Sequence, residues 1–100
     1  MNQKSGVSRR SSPQGFTEKQ GEYLAFIYVY SYMFQRSPAE TDMQRYFRVS
    51  PPSVHQMVLT LERNGLIRRK PGVARSIELL VPPEQLPILK WLKINQSNPL

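Results

Sequence analysis

Residues 37–66 read SPAETDMQRYFRVSPPSVHQMVLTLERNGL and decide the fold, because two helix starts and one helix end follow each other in this stretch. Ser37, Pro38 and Glu40 match the first start, with a capping residue, a proline at the first helical position and an acidic residue at the third. The stretch therefore predicts a short helix that begins at Ser37 and runs to about Tyr46.

The second start lies at Ser50, which is followed by Pro51. Apolar residues then recur at helical spacing and form one stripe, made of Val54, Met57, Val58 and Leu61. Asn64 and Gly65 are the residue types expected just past a helix, because both accept the left-handed conformation. We therefore predict a helix over 51–64 with one buried face.

The sequence before this stretch predicts a longer first helix. Thr17 and Gln20 have the spacing of a capping box, and Phe16 precedes them in the position of a hydrophobic staple. The helix is expected to run to about Gln35, because the residue before Pro38 avoids the helical conformation.

The sequence after Gly65 predicts a β-hairpin over 66–80, with Pro71 and Gly72 at its turn. Three helices followed by a hairpin form a three-helix winged helix-turn-helix, a mainly α fold with a small β-hairpin. We place this domain at 16–81. A disordered basic tail is expected at 1–15, and an extra apolar segment, for docking or dimerisation, at 82–100.

Composition narrows the function. The chain has 100 residues, 14 Lys and Arg against 7 Asp and Glu, a net charge of +7 and a pI near 10.2. Such an excess of positive charge favours a polyanion as partner. No cysteine, a single histidine and no catalytic motif argue against an enzyme, a metal, a cofactor or a small-molecule ligand. No apolar run is long enough to span a membrane, so we expect a cytoplasmic, nucleoid-associated protein.

The third helix is the candidate for reading DNA bases. Burial of its apolar stripe turns Pro52, Gln56, Leu59 and Arg63 to the other side, with Ser53, His55 and Thr60 beside them. A glutamine side chain can pair with adenine through two hydrogen bonds, and the helix N-terminus is expected to offer amides to a phosphate. The basic residues of the hairpin that are predicted to contact the DNA backbone are Arg68, Arg69, Lys70 and Arg75.

The chain resembles the N-terminal DNA-binding domain of LexA-type repressors. The resemblance rests on the TxxQ opening at Thr17, the third helix led by Ser50 and Pro51, the NGLI exit at 64–67 and the short wing that closes on IELL at 77–80. It implies that the third helix and the wing bind double-stranded DNA for transcriptional regulation. The positions it places at the bases are Ser50, Pro52, Ser53, His55 and Gln56.

Two features depart from that family. The reader helix usually carries Asn and acidic residues where this chain has Pro52, His55 and Gln56, so the operator sequence does not transfer. The chain also has no Ala-Gly cleavage site and no serine-lysine peptidase domain before Leu100. We therefore expect no self-cleavage and no dimerisation through such a domain.

The first helix offers another surface for association. If Tyr23, Ile27, Tyr30 and Phe34 face the core, a second face carries Tyr28, Val29, Tyr32 and Met33. This patch needs a cover. In one interpretation the C-terminal segment with Leu89, Trp91 and Leu92 folds back over the patch of the same chain. In the other, which we favour, patch and segment together form a homodimer contact. The alternative function is a protein-interaction module that uses this aromatic patch.

Overall fold

The computed structural model describes residues 15–87. Three helices come first: α1 at Glu18–Phe34, α2 at Glu40–Phe47 and α3 at Pro51–Arg63. Two short strands follow, β1 at Ile67–Arg68 and β2 at Glu78–Leu79, and then a 3-10 helix at Pro83–Gln85. The strands are antiparallel, with Ile67 opposite Leu79 and Arg68 opposite Glu78. The predicted winged helix-turn-helix is confirmed.

Two predicted segments lie largely outside the described residues. The predicted tail at 1–15, with Lys4, Arg9 and Arg10, is described only at Gly15. The predicted segment at 82–100 is described as far as Pro87, which excludes Leu89, Trp91 and Leu92. Both assignments stay predictions.

The start of α1 is the predicted capping box. The Gln20 amide donates to the Thr17 hydroxyl at 3.1 Å, and the Thr17 amide donates to the Gln20 side-chain oxygen at 3.0 Å. Phe16 is buried, and its ring lies 3.0 Å from where a Cβ on Gly21 would be. The helix ends at Gln35, which adopts the left-handed conformation with φ of 59°.

The predicted start of α2 is wrong by two residues. The N-cap is Ala39, whose amide donates to the Asp42 carboxylate at 2.7 Å. The Ser37 hydroxyl instead donates to the carbonyl oxygen of Pro38 at 3.2 Å. A carboxylate is a stronger acceptor than a hydroxyl, so the helix begins where Asp42 can satisfy the first amide.

The start and end of α3 are as predicted. Ser50 is the N-cap, and its hydroxyl accepts from the Ser53 amide at 3.3 Å. The helix ends before Asn64, and Gly65 has a φ of 74°, a conformation that glycine adopts at little cost.

The core lies where the three helices meet the base of the hairpin. The residues with no more than 1% exposure include three from the stripe of α3, namely Val54, Val58 and Leu61, and also Leu24, Ile27, Met43 and Ile67. Tyr23 of α1 stacks on Phe47 of α2 with ring centroids 4.0 Å apart. Burial of the stripe fixes the rotation of α3, so its opposite face must lie outside.

The hairpin has less β-structure than predicted, since only two residues of each arm form strands. Toward the tip, the Ser76 hydroxyl accepts from the Lys70 amide at 2.9 Å and donates to the Val73 carbonyl oxygen at 2.8 Å. The turn itself uses Gly72, with φ of 75°. A side chain therefore closes the loop in place of further strand pairing.

Across residues 15–87, none of the helices is long and apolar enough to cross a lipid bilayer.

We expect Leu61→Ala to lower the free energy of unfolding by about 2–5 kcal/mol, because it leaves a cavity beside Val58 that the packed helices cannot fill. Urea unfolding of the purified chain measures this loss. The matched control is Leu80→Ala, since Leu80 is 45% exposed. Equal losses in the two variants would contradict the placement of the core.

Candidate nucleic-acid interface

The outer face of α3 lies on the surface, as predicted. Pro52, Ser53, His55 and Gln56 are all exposed, and Leu59 and Thr60 are half-buried at its edges. The first turn of the helix carries no acidic residue. The structure therefore brings the predicted base-contacting residues to one side of a helix, and their contacts with bases stay a prediction.

The first turn of α3 differs from the prediction, because residues 51–54 have no free amide to offer a phosphate. Pro51 and Pro52 carry no N–H group. The Ser53 amide donates to the Ser50 hydroxyl, and the Val54 amide donates to the Ser50 carbonyl oxygen at 3.2 Å. The Ser50 hydroxyl also lies 2.9 Å from the Ser53 hydroxyl. The first turn of α3 therefore presents side chains to the outside and not free amides.

His55 is linked to the preceding helix. Its Nδ1 lies 3.2 Å from a carboxylate oxygen of Glu40, the first residue of α2. In sequence the two residues are 15 positions apart, so this acidic neighbour was missed. The contact fixes the orientation of the imidazole ring, so Nε2 faces away from Glu40.

The start of α1 borders the same face. Thr17 and Gln20 line a shallow depression together with Pro52, Gln56 and Thr60 of α3. The capping box that begins α1 is thus next to the candidate base-reading residues, a neighbourhood that sequence spacing does not indicate.

The basic residues of the hairpin differ in whether they are paired with an acidic side chain. Arg68 pairs with Glu78 across the two strands at 2.7 Å, with both side chains more than half exposed. Arg69 pairs with Glu62 of α3 at 3.1 Å and its side chain is only 21% exposed. Within residues 15–87, the Lys70 ammonium forms no ion pair, and it lies next to the turn. Lys70 is therefore the basic residue of the hairpin whose charge has no acidic partner among the described residues.

Arg75 does not project from the hairpin, in contrast to the prediction. Its Nη1 donates to the Tyr30 hydroxyl at 3.0 Å, to the Asp42 carboxylate at 3.0 Å and to the Ser37 carbonyl oxygen at 3.2 Å. Its backbone adopts the left-handed conformation with φ of 57°, which turns the side chain toward the helices. We therefore leave Arg75 out of the proposed backbone contacts and assign it to holding the hairpin against α1 and α2.

Asp42 is at the centre of this cluster. Its carboxylate caps α2 through the Ala39 amide and also binds Arg75, and its side chain is only 13% exposed. Burial by itself raises the pKa of Asp42, but the Ala39 amide and the Arg75 charge outweigh it, so the pKa lies below its ordinary value of 3.8. The ionised form is thus the one that the fold stabilises.

The aromatic faces of α1 are not divided as predicted. Phe34, placed in the core by its spacing, is 54% exposed. Tyr28 and Val29, placed outside, are half-buried against the core, whereas Tyr32 and Met33 are exposed as expected. The helix is apolar on nearly every side, so spacing alone could not select the buried face.

Two exposed arginines beside the interface were given no role from sequence. Arg48 lies in the turn between α2 and α3, in the left-handed conformation with φ of 58°. Arg63 is exposed at the end of α3, where it donates to the Thr60 hydroxyl at 3.3 Å. The period of the α3 stripe places Arg63 on the outer face, whereas only its charge could have indicated Arg48.

Residues 15–87 bring together no group of three or more His, Cys, Asp or Glu side chains that could hold a metal ion.

Fold and interface together define the class, a winged helix-turn-helix domain of the DNA-binding type. Residues 15–73 match the family model described as iron dependent repressor, N-terminal DNA binding domain. The chain belongs to this family, and its DNA-binding domain is LexA-like.

Two relatives carry the likeness to LexA. The chain is 38% identical over 72 residues to the LexA repressor of Thermosipho africanus (strain TCF52B), which covers 72% of this chain and 36% of that protein. It is 39% identical over 64 residues to the LexA repressor of Thermosipho melanesiensis (strain DSM 12029 / CIP 104789 / BI429), which covers 64% and 32% respectively. The chain thus spans about a third of the length of these curated relatives.

We expect the Asp42 cluster to make stability fall in acid. Because the pKa of Asp42 is lowered on folding, its contribution is fully present above the ordinary value of 3.8 and is lost as the pH falls through the lower folded value. Asp42→Asn should therefore be less stable than the wild type at neutral pH, and the difference should shrink in acid. Urea unfolding from about pH 7 to about pH 2 measures both curves.

The control for this prediction is Glu84→Gln, which removes an exposed carboxylate from the 3-10 helix. It should leave the pH dependence of stability close to that of the wild type. A difference between wild type and Asp42→Asn that is constant over the whole pH range would contradict the assignment.

Proposed function

We propose that the protein is a repressor-type transcriptional regulator that binds specific double-stranded DNA through α3 in the major groove and the hairpin on the backbone. The observation that carries the proposal is the exposed outer face of α3, with His55 and Gln56 held outward by burial of the opposite stripe. Membership of a repressor DNA-binding family supports the same function.

The size of α3 suits the major groove. A helix with its side chains is about 10–12 Å across, and the major groove is about 12 Å wide. Gln56 offers a donor and an acceptor to adenine, while Pro52 presents an apolar surface for a thymine methyl group. Ser50, Ser53 and His55 add hydroxyl and imidazole groups on the same side.

The hairpin supplies charge to the DNA backbone. Lys70 is the first candidate, and Arg68 is the second, because an exposed ion pair such as that with Glu78 contributes little and opens easily. Arg69 shares its charge with Glu62, so its contribution is smaller. Arg48 and Arg63 add positive charge at the two ends of α3.

We propose further that two copies bind an inverted repeat. One α3 reaches only a few base pairs, whereas two copies related by twofold symmetry read two half-sites about one helical turn apart. This arrangement raises the affinity of a single winged domain. Sedimentation of the free chain and of its DNA complex measures the number of copies.

A second candidate function is protein binding through the aromatic patch of α1, where Tyr32 and Met33 are exposed. The two functions respond differently to salt. DNA affinity should fall steeply as salt rises, because phosphate contacts release counterions. An apolar protein contact should respond weakly.

The test of the proposed function is selection of duplexes from a randomised pool by the purified chain at two salt concentrations. Enrichment of an inverted repeat supports a sequence-specific dimeric regulator. Salt-sensitive binding without enrichment contradicts sequence reading by α3, and absence of binding contradicts the function as a whole.

We expect Gln56→Ala to weaken binding to the selected site by about 1–3 kcal/mol, through loss of two hydrogen bonds to one base. Binding to a scrambled duplex should hardly change, so the specificity ratio falls. Titration of labelled duplexes measures both affinities. The matched control, Gln85→Ala, removes an exposed glutamine from the 3-10 helix and should leave the ratio unchanged.

We expect Lys70→Ala to weaken binding to all duplexes about equally and to reduce the slope of log affinity against log salt by about 1. The reason is the loss of one phosphate contact that carries no sequence information. Arg75→Lys is the comparison variant, since Arg75 points away from the proposed DNA surface. If Lys70→Ala changed the preferred sequence instead, the hairpin would be a base reader.

A further inference from the structure

An apolar groove runs along the side of the domain where α1 and α2 meet. It encloses about 600 Å³, and its walls include Phe26, Val29, Met33, Phe34 and Tyr46. Met33, Phe34 and Tyr46 are 64%, 54% and 61% exposed. A groove with so much apolar surface loses free energy to water unless something covers it.

The walls of the groove are already packed. Phe26 and Tyr46 stack across the two helices with ring centroids 4.7 Å apart. Tyr30 and Phe34 lie one helical turn apart on α1 with centroids at 4.6 Å. The aromatic rings support each other, so the groove has its shape before anything binds in it.

The groove begins where the described chain ends. Pro87, the last described residue, is itself part of the wall. It packs closely on α1 because Gly21 has no side chain, and a Cβ there would lie 3.5 Å from the Pro87 ring. Just before it, Leu86 is buried in the core, which anchors the chain at this point. The described chain therefore ends at one end of the groove.

The segment that follows has a composition that fits the groove. Residues 88–100 read ILKWLKINQSNPL, and their apolar residues are Ile88, Leu89, Trp91, Leu92 and Ile94. Lys90 and Lys93 lie between them. The groove wall contains one acidic residue, Glu22, next to the position where the described chain ends. Its ion pair with Lys19 at 3.1 Å is exposed and contributes little, so Glu22 can also attract a lysine of the segment.

The segment is also long enough. From Glu22 to Phe34 the groove follows α1 for about 18 Å, at about 1.5 Å per residue. Residues 88–100 cover about 20 Å even as a helix, and more in an extended form.

We propose that residues 88–100 of the same chain occupy this groove, with Trp91 among the aromatic side chains of α1 and α2. A second copy is the less favourable source of the segment, because the covalent link at Pro87 gives the chain's own segment an effective concentration on the order of millimolar. The occupied groove then covers the apolar surface that α1 and α2 share. This inference is independent of the proposed DNA binding.

Trp91 is the sole tryptophan of the chain, so its fluorescence reports on the segment alone. In the full chain we expect emission shifted to the blue of that in urea, and weak quenching by acrylamide, at every protein concentration. Met33→Glu should shift the emission to the red and increase quenching, because it places a charge on the groove wall. Tyr46→Glu tests the opposite wall and should act in the same direction.

The matched control is Tyr32→Glu. Tyr32 is adjacent to Met33 on α1 and is 72% exposed, but it does not line the groove. The control should leave the fluorescence of Trp91 unchanged, and circular dichroism should show all three variants folded. Emission of the wild type equal to that in urea would overturn the proposal.

Equal effects of Met33→Glu and Tyr32→Glu would also overturn it. So would shielding of Trp91 that appears only at concentrations where sedimentation shows dimers, because the segment would then come from a second copy. Duplex binding, measured separately, keeps the outcome distinct from that of the proposed function.

Discussion

The arrangement of this domain depends on burial of one stripe of α3. Val54, Val58 and Leu61 are completely buried, and together they remove a large apolar area from water. A helix that buries one face in this way has no freedom to rotate. His55 and Gln56 are therefore held outward by packing of the opposite face, and His55 is also oriented by its contact with Glu40. The helix that carries the surface proposed to read bases is thus in position before DNA arrives.

Around this packed centre, charged groups connect the elements. Asp42 caps α2 and binds Arg75, and Arg75 in turn binds Tyr30, so one cluster joins α1, α2 and the hairpin loop. Two other arginines of the hairpin are paired as well, Arg68 with Glu78 and Arg69 with Glu62. A positive net charge thus does not mean that every Lys and Arg side chain is available to DNA, because several of these side chains are paired within the fold.

The groove between α1 and α2 contains apolar side chains of α1 that the core does not bury. The first helix carries aromatic residues on nearly all sides, and the core can take only one of them. The remaining rings meet α2 and form a groove that starts at Pro87. Among residues 15–87, the lining of this groove includes Glu22 and no basic residue, in contrast to the hairpin with Arg68 and Lys70.

Local signals in the sequence determined the elements. The capping box at Thr17, the cap at Ser50 and the stop at Gly65 each act over three or four residues, so they could be predicted and are confirmed. The outer face of α3 followed from the period of its apolar stripe. What only the tertiary structure decided involves residues distant in sequence: the pairing of His55 with Glu40, the inward turn of Arg75 and the buried side of α1. Their positions depend on which groups meet when the helices pack, and no local pattern contains that information.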